Sequence, residues 1–151
     1  MDEIDRKIIA LLAEDSRRAL ADIGGAVGLS ASAVNERIRR LAASGAIRRF
    51  TVDADPQALG LPGLAFVFLA LAPEADENAF RAFAESHAGI FECHHVTGSW
   101  SYLVKIRVAS LSDVESFLEA LKGAGFLARS ETMLALSSPV EGPFVPNAEP
   151  A

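Results

Sequence analysis

The hydrophobic pattern of this chain changes its period near residue 50, and that single change demands two differently built units. From Asp2 to Ala13 the apolar positions Ile4, Ile8, Ile9, Leu11 and Leu12 fall at helical spacing. Asp2 is placed to cap this helix, with Asp5 three residues on and acidic charge at the positive end of the dipole. Leu20, Ile23 and Val27 mark a second, short helix ending near Gly28, with Gly24 and Gly25 each weakening it by roughly 1 kcal/mol. Ser30 then caps a third helix in which Val34, Ile38 and Leu41 share a face, and Gly45 closes it. Ile47 to Val52 alternates as a short strand or wing.

Beyond a linker at 53–62, which holds Pro56 and Pro62, the pattern becomes that of strands interleaved with helices. Strands are expected at Leu64–Leu71, Ile90–Val96, Tyr102–Val108 and Ala128–Leu136, and helices at Asp76–Ser86 and Asp113–Leu121. The order β-α-β-β-α-β is that of the ferredoxin-like split sandwich. The expected class is therefore α+β: an N-terminal winged helix-turn-helix over 1–52, the linker, a ferredoxin-like unit over 63–137, and a Pro-rich tail over 138–151.

Charge divides along the same line. Residues 1–50 carry +2 and residues 51–151 carry −8 within the net −6. An acidic protein can thus present a basic face, because a partner feels the field within about 10 Å at ordinary salt. No apolar run reaches the roughly 18 residues of a membrane span, and the acidic N-terminus has no signal-peptide order. The single cysteine, Cys93, forms no internal disulfide, which suits a reducing cytoplasm.

The segment Ile23–Leu41 has helix-turn-helix form, with Gly28 supplying the turn and Leu29 plugging between helices. With Val34, Ile38 and Leu41 inward, the third helix presents Ser32, Asn35, Glu36 and Arg39 outward, behind Ser30 at its start. Recognition helices meet base edges with short or hydrogen-bonding side chains of this kind. Asn35 suits adenine, and Arg39 suits guanine or a phosphate. Glu36 can accept from cytosine. Arg37 and Arg40 flank the face and suit phosphate or intramolecular pairing, while Arg48 and Arg49 on the wing reach the backbone. Three-helix clusters also serve as docking modules, so topology alone does not decide the function.

The run Asp2-Glu3-Ile4-Asp5-Arg6-Lys7-Ile8-Ile9, then Val27-Gly28-Leu29-Ser30, Arg37-Ile38-Arg39-Arg40-Leu41, Gly45-Ala46-Ile47 and Leu59-Gly60, resembles the leucine-responsive/asparagine-regulator (Lrp/AsnC) family of transcription factors. Glu92-Cys93, Val96-Thr97-Gly98 and Tyr102-Leu103 carry the resemblance into the second half. It implies a regulator that binds pseudopalindromic double-stranded DNA, forms dimers through its sheet and often octamers, and responds to an amino acid or related small molecule. The implied effector loop is Gly98, Ser99, Trp100, Ser101 and Tyr102, with Thr132 and Met133 on the last strand. Ser101 stands where the family carries aspartate, which removes a carboxylate able to meet an ammonium group.

Two other readings set the comparison: a sensor or docking protein without DNA binding, and a small ferredoxin-like enzyme using His87, His94, His95 and Glu92. The chain has no Gly-rich phosphate loop, nucleophile elbow or HExxH, so no cofactor is expected. On a strand Cys93 and His95 share a face and His94 does not, so at most two metal ligands converge and no metal site is expected.

Overall fold

The computed structural model describes residues 1–142 and Pro146, and it divides into a first unit containing Met1–Asp53 and a second spanning Ala54–Pro139. In the first, α1 (Glu3–Glu14), α2 (Leu20–Val27) and α3 (Ala31–Ala43) are all helical where the periodicity places them. The N-terminal capping box forms in full: the Asp2 carboxylate accepts from the Asp5 backbone N–H at 2.8 Å, and Asp5 returns the bond to the Asp2 N–H at 3.0 Å. Two orphan donors of the first turn are thereby satisfied.

Ile8, Ile23, Val34 and Leu41, with Leu12, form the buried core of this unit. Gly28 ends α2 in the left-handed region at φ +70°, the conformation that the turn requires and only glycine adopts freely. The preceding turn closes tightly, since the Leu29 N–H donates to the Gly24 carbonyl at 2.9 Å. Gly24 is buried and leaves no room for a side chain: a Cβ there would lie closer than 3.0 Å to the Leu29 carbonyl oxygen. Gly25 faces open space.

The expected strand or wing at Ile47–Val52 does not form, and the segment has no regular secondary structure. The alternation is there, but a strand also needs a ladder partner, and none of the described residues pairs with it. Ile47 itself packs on the helical core, and its N–H bonds the Leu41 carbonyl at 3.0 Å. The linker is more ordered than its prolines suggest. Residues 56–60 wrap into a turn closed by the Leu61 N–H on the Pro56 carbonyl at 2.8 Å.

In the second unit, β1 (Gly63–Leu71), β2 (Ile90–His95), β3 (Tyr102–Val108) and β4 (Leu127–Leu134) form one antiparallel sheet in the order β2-β3-β1-β4. With α4 (Glu77–Ser86) and α5 (Leu111–Gly123), this is the ferredoxin-like topology. Ala65, Val67 and Leu69 of β1 and Tyr102, Val104 and Ile106 of β3 point into the helix-covered core with Phe80, Phe117 and Leu121. The alternate residues Phe66, Phe68, Leu103 and Lys105 lie on the other face, which no helix of this unit covers. β4 stops at Leu134, two residues before the expected end, because its last rung is the Ala135 N–H on Leu64. Of the Pro-rich tail, Pro139 lies in irregular chain, and Pro143 and Pro150 lie outside the described residues.

Candidate nucleic-acid interface and ligand loop

α3 begins at Ser30, whose hydroxyl accepts the Ala33 N–H at 3.2 Å and lies 3.0 Å from the Ser32 hydroxyl. Val34 and Leu41 turn into the core, which leaves Ser32, Asn35, Glu36 and Arg39 exposed together on the opposite side. Arg39 and Glu36 approach to 3.8 Å with both side chains about three-quarters exposed (75% and 77%), a pairing too solvated to hold either in place. Both remain available to a ligand. Arg48 and Arg49 are exposed on the irregular segment after α3.

Arg37 and Arg40 face a different environment. One Arg37 Nη donates at 2.7 Å to both Asp2 and Asp5, and Arg40 reaches the two Asp5 carboxylate oxygens at 3.2 and 3.4 Å. Asp5 is 1% exposed, the sole buried charged side chain among the described residues. Burial opposes its ionisation, yet the Asp2 N–H and the Arg37 guanidinium hold its pKa below the ordinary value. Arg37 and the Asp5 N–H do the same for Asp2. Sequence reasoning found Asp5 as a helix cap and missed this cross-helix role. No local signal carries it, since the partners lie 32 and 35 residues away.

In the second unit the β2–β3 loop turns at Gly98, φ +103°. Ser101 is tied into the sheet: its Oγ accepts the Leu71 N–H at 3.1 Å, and its own N–H donates to Leu69 at 2.7 Å. Trp100 packs near Phe68, with ring centroids 5.9 Å apart, under the Arg129 guanidinium 4.1 Å from its ring centre. Arg129 also donates to the Ser99 carbonyl at 3.0 Å, so β4 latches the loop from the side.

Tyr102 sends its hydroxyl to Glu77 at 2.6 Å and accepts from Arg81 at 2.9 Å, while its ring stacks on His95. Burial and the Glu77 carboxylate push the Tyr102 pKa up; the same bond, with Arg81, pulls Glu77 down. A depression of about 580 Å³ opens beside this cluster between α4 and β2, lined by Arg81, Glu85, Cys93 and His95 among others. The Glu77–Arg81 spacing of four residues on a helix was the available signal for this cluster.

Thr132 and Met133 do not join the loop within one chain. Thr132 lines a separate hollow of about 400 Å³ with Leu118 and Lys122 under α5. Met133 pairs with Phe66 on the uncovered face, 49% exposed. Cys93 and His95 face α4, whereas His94 bonds Glu92, as strand alternation requires. His87 packs between Phe83 and Phe117, with its Nδ1 accepting the Gly89 N–H.

A capped helix-turn-helix followed by a ferredoxin-like unit is the architecture of a family of helix-turn-helix transcriptional regulators, which are not enzymes, and comparison with known proteins places the chain among them. Family models described as the AsnC-type helix-turn-helix domain and the Lrp/AsnC ligand binding domain match residues 1–42 and 64–145. The chain belongs to the Lrp/AsnC family. It is similar to the regulator FL11 of Pyrococcus horikoshii, 33% identical over 97% of this chain and 96% of that protein. The solved Bacillus subtilis LrpC superposes with a TM-score of 0.84 at 30% identity, covering 94% of this chain and 99% of that one. A Neisseria meningitidis transcriptional regulator solved with L-Met shares the fold, with a TM-score of 0.86 at 21% identity and 93% of each chain covered.

Proposed function

We propose that this regulator is a cytoplasmic homo-oligomer that reads a pseudopalindromic operator through Ser32, Asn35, Glu36 and Arg39. Ser30 fixes the start of α3, and Arg40, Arg48 and Arg49 grip phosphates. Arg37 contributes from its ion pair, by holding α3 in place. The observation that carries this reading is the exposed polar face of a well-capped α3 on a helix-turn-helix core. Two such helices spaced by a dimer face one side of the duplex about one helical turn apart.

The uncovered sheet face, with Phe66, Phe68, Leu103, Phe91 and Met133, supports pairing of two chains there, and octamers follow by further contacts between dimers. An amino acid or related small molecule binds at subunit interfaces near Gly98, Ser99, Trp100, Ser101 and Tyr102. Thr132 and Met133 come from elsewhere in the assembly. Support for this comes from the family's ligand-binding region and from the L-Met complex of the Neisseria protein. Ligand binding shifts affinity for DNA by biasing the assembly or the spacing of the DNA-binding units.

The test is binding of the full chain to a fluorescent duplex library at two salt concentrations, with and without pooled amino acids. A two-fold motif whose occupancy the pool alters is expected. Arg39→Ala should weaken operator binding by roughly 1–3 kcal/mol, and Arg48→Ala should weaken all duplexes alike and flatten the salt dependence. Unchanged operator affinity in Arg39→Ala would remove that side chain from the reading face.

A further inference from the structure

Asp5 is a carboxylate taken out of water, and helix capping does not explain why. α5 carries the same local device: Ser110 and Asp113 form a capping box of identical spacing. There Asp113 is exposed and bonds only Ser110 and the Ala109 N–H among the described residues. Asp5 caps its helix equally well, yet it is buried to 1% exposure against two arginines of another helix. Burying a charge is costly unless its partners are close and well aimed. What the extra burial provides is control of α3.

The two arginines are held differently. Arg37, 23% exposed in its side chain, spends one Nη on both Asp2 and Asp5 and is the more enclosed of the two. Arg40 is 61% exposed and spends one Nη on Asp5, leaving its Nε and other Nη without a protein partner among the described residues. On the helical wheel Arg40 lies beside the face of Ser32, Asn35, Glu36 and Arg39, one residue past Arg39. A guanidinium anchored at one edge and free at the other is prearranged to take a phosphate, with less side-chain entropy to lose on contact.

We propose that Asp5 is a positioning residue for DNA binding: from α1 it holds Arg40 of α3 ready for a backbone phosphate, while Arg37, which Asp2 holds as well, locks the helix at the correct setting. The proposal rests on the reading of α3 as the recognition helix.

The experiment measures affinity of the full chain for a fluorescent operator duplex over a range of salt, for Asp5→Asn, Arg40→Ala, their double variant, Arg40→Lys and Arg39→Ala, each shown folded by circular dichroism. Asp5→Asn is expected to lose about tenfold in affinity, the scale of one charge-assisted hydrogen bond. In the Arg40→Ala background it should lose almost nothing more, because Asp5 acts through Arg40. Arg40→Ala should lower the slope of log affinity against log salt by about 0.9, the signature of one phosphate. Arg40→Lys should restore that slope but not the full affinity, since a single ammonium nitrogen must reach both acceptors, whereas the guanidinium spans them with N–H groups on opposite edges.

Tighter binding by Asp5→Asn means its charge merely repels DNA, unchanged binding means it contributes nothing to DNA contact, and either result overturns the proposal. Multiplicative losses in the double variant mean a purely structural role and also overturn it. Should Asp5→Asn fail to fold, Arg40→Lys decides alone, and wild-type affinity there refutes positioning. Arg39→Ala separates the two levels: weakened binding there with normal Asp5→Asn binding sinks only this proposal, while no effect from either arginine sinks the reading of α3.

Discussion

Adjacent glycines in α2 should respond to the same substitution with opposite signs. An alanine at position 25 meets nothing within 4 Å, so Gly25→Ala collects the helix-propensity gain alone, about 1 kcal/mol. Gly24→Ala collects that same gain but drives its methyl closer than 3.0 Å to the backbone oxygen of Leu29. The obstacle is main chain in a closed turn, so it cannot swing aside as a side chain does. Overpacking of this kind costs about 3 kcal/mol at the upper end, for a net loss near 2. The two variants should therefore differ by about 3 kcal/mol, and at roughly 2–4 °C per kcal/mol for a chain of this length their melting midpoints should separate by about 6–12 °C. Calorimetry with far-UV circular dichroism on the full chain reads this directly. A Gly24→Ala protein that melts at or above wild type would show that the turn gives way freely, and the argument from close approach would fail.

Acid should weaken the first unit in a defined direction. Asp2 and Asp5 titrate below the ordinary 3.8 when folded, so their stabilisation is complete above that value and is lost as pH falls through the depressed values. Melting curves should be flat from neutral pH to about pH 5 and fall steeply below about pH 4; a midpoint that rises on acidification contradicts the cluster. In the second unit, Ser101→Ala removes the acceptor of the Leu71 N–H and should cost about 1 kcal/mol. Amide exchange at Leu71 should quicken in parallel, and an unchanged rate would show that the hydroxyl does not secure the loop.

What the sequence made legible was whatever is written in local patterns. The Asp2–Asp5 capping box, the glycine ending α2, and the positions of β1 and β3 all follow from spacing, because cap geometry and strand patterning are short-range. The β3 boundaries coincide with the expected Tyr102–Val108 for that reason. Ile47–Val52 shows the limit: its alternation satisfies the pattern, yet a ladder needs a partner strand and none is present among the described residues. Gly24 was legible only as a helix weakener, because the Leu29 carbonyl that excludes a side chain arrives through the fold. The Arg129 latch over Trp100 and the burial of Asp5 are contacts across about 30 residues, decided by packing. For the face proposed to meet DNA, helical periodicity placed the exposed side chains of α3 correctly, but it did not foretell that Arg37 and Arg40 meet on one carboxylate.

The chain's single tryptophan sits in the β2–β3 loop, against Phe68 and beneath the Arg129 guanidinium. That placement makes the protein its own optical probe. Indole emission responds to a nearby cation and to solvent access, so loosening of the loop or a second sheet settling on Phe68 changes the signal without any added label. α3, the helix proposed to read DNA, contains no tryptophan, so on that reading titration with duplex leaves the chromophore's immediate surroundings alone unless the two units communicate. A change in Trp100 fluorescence on adding DNA is thus a direct optical measure of coupling between them.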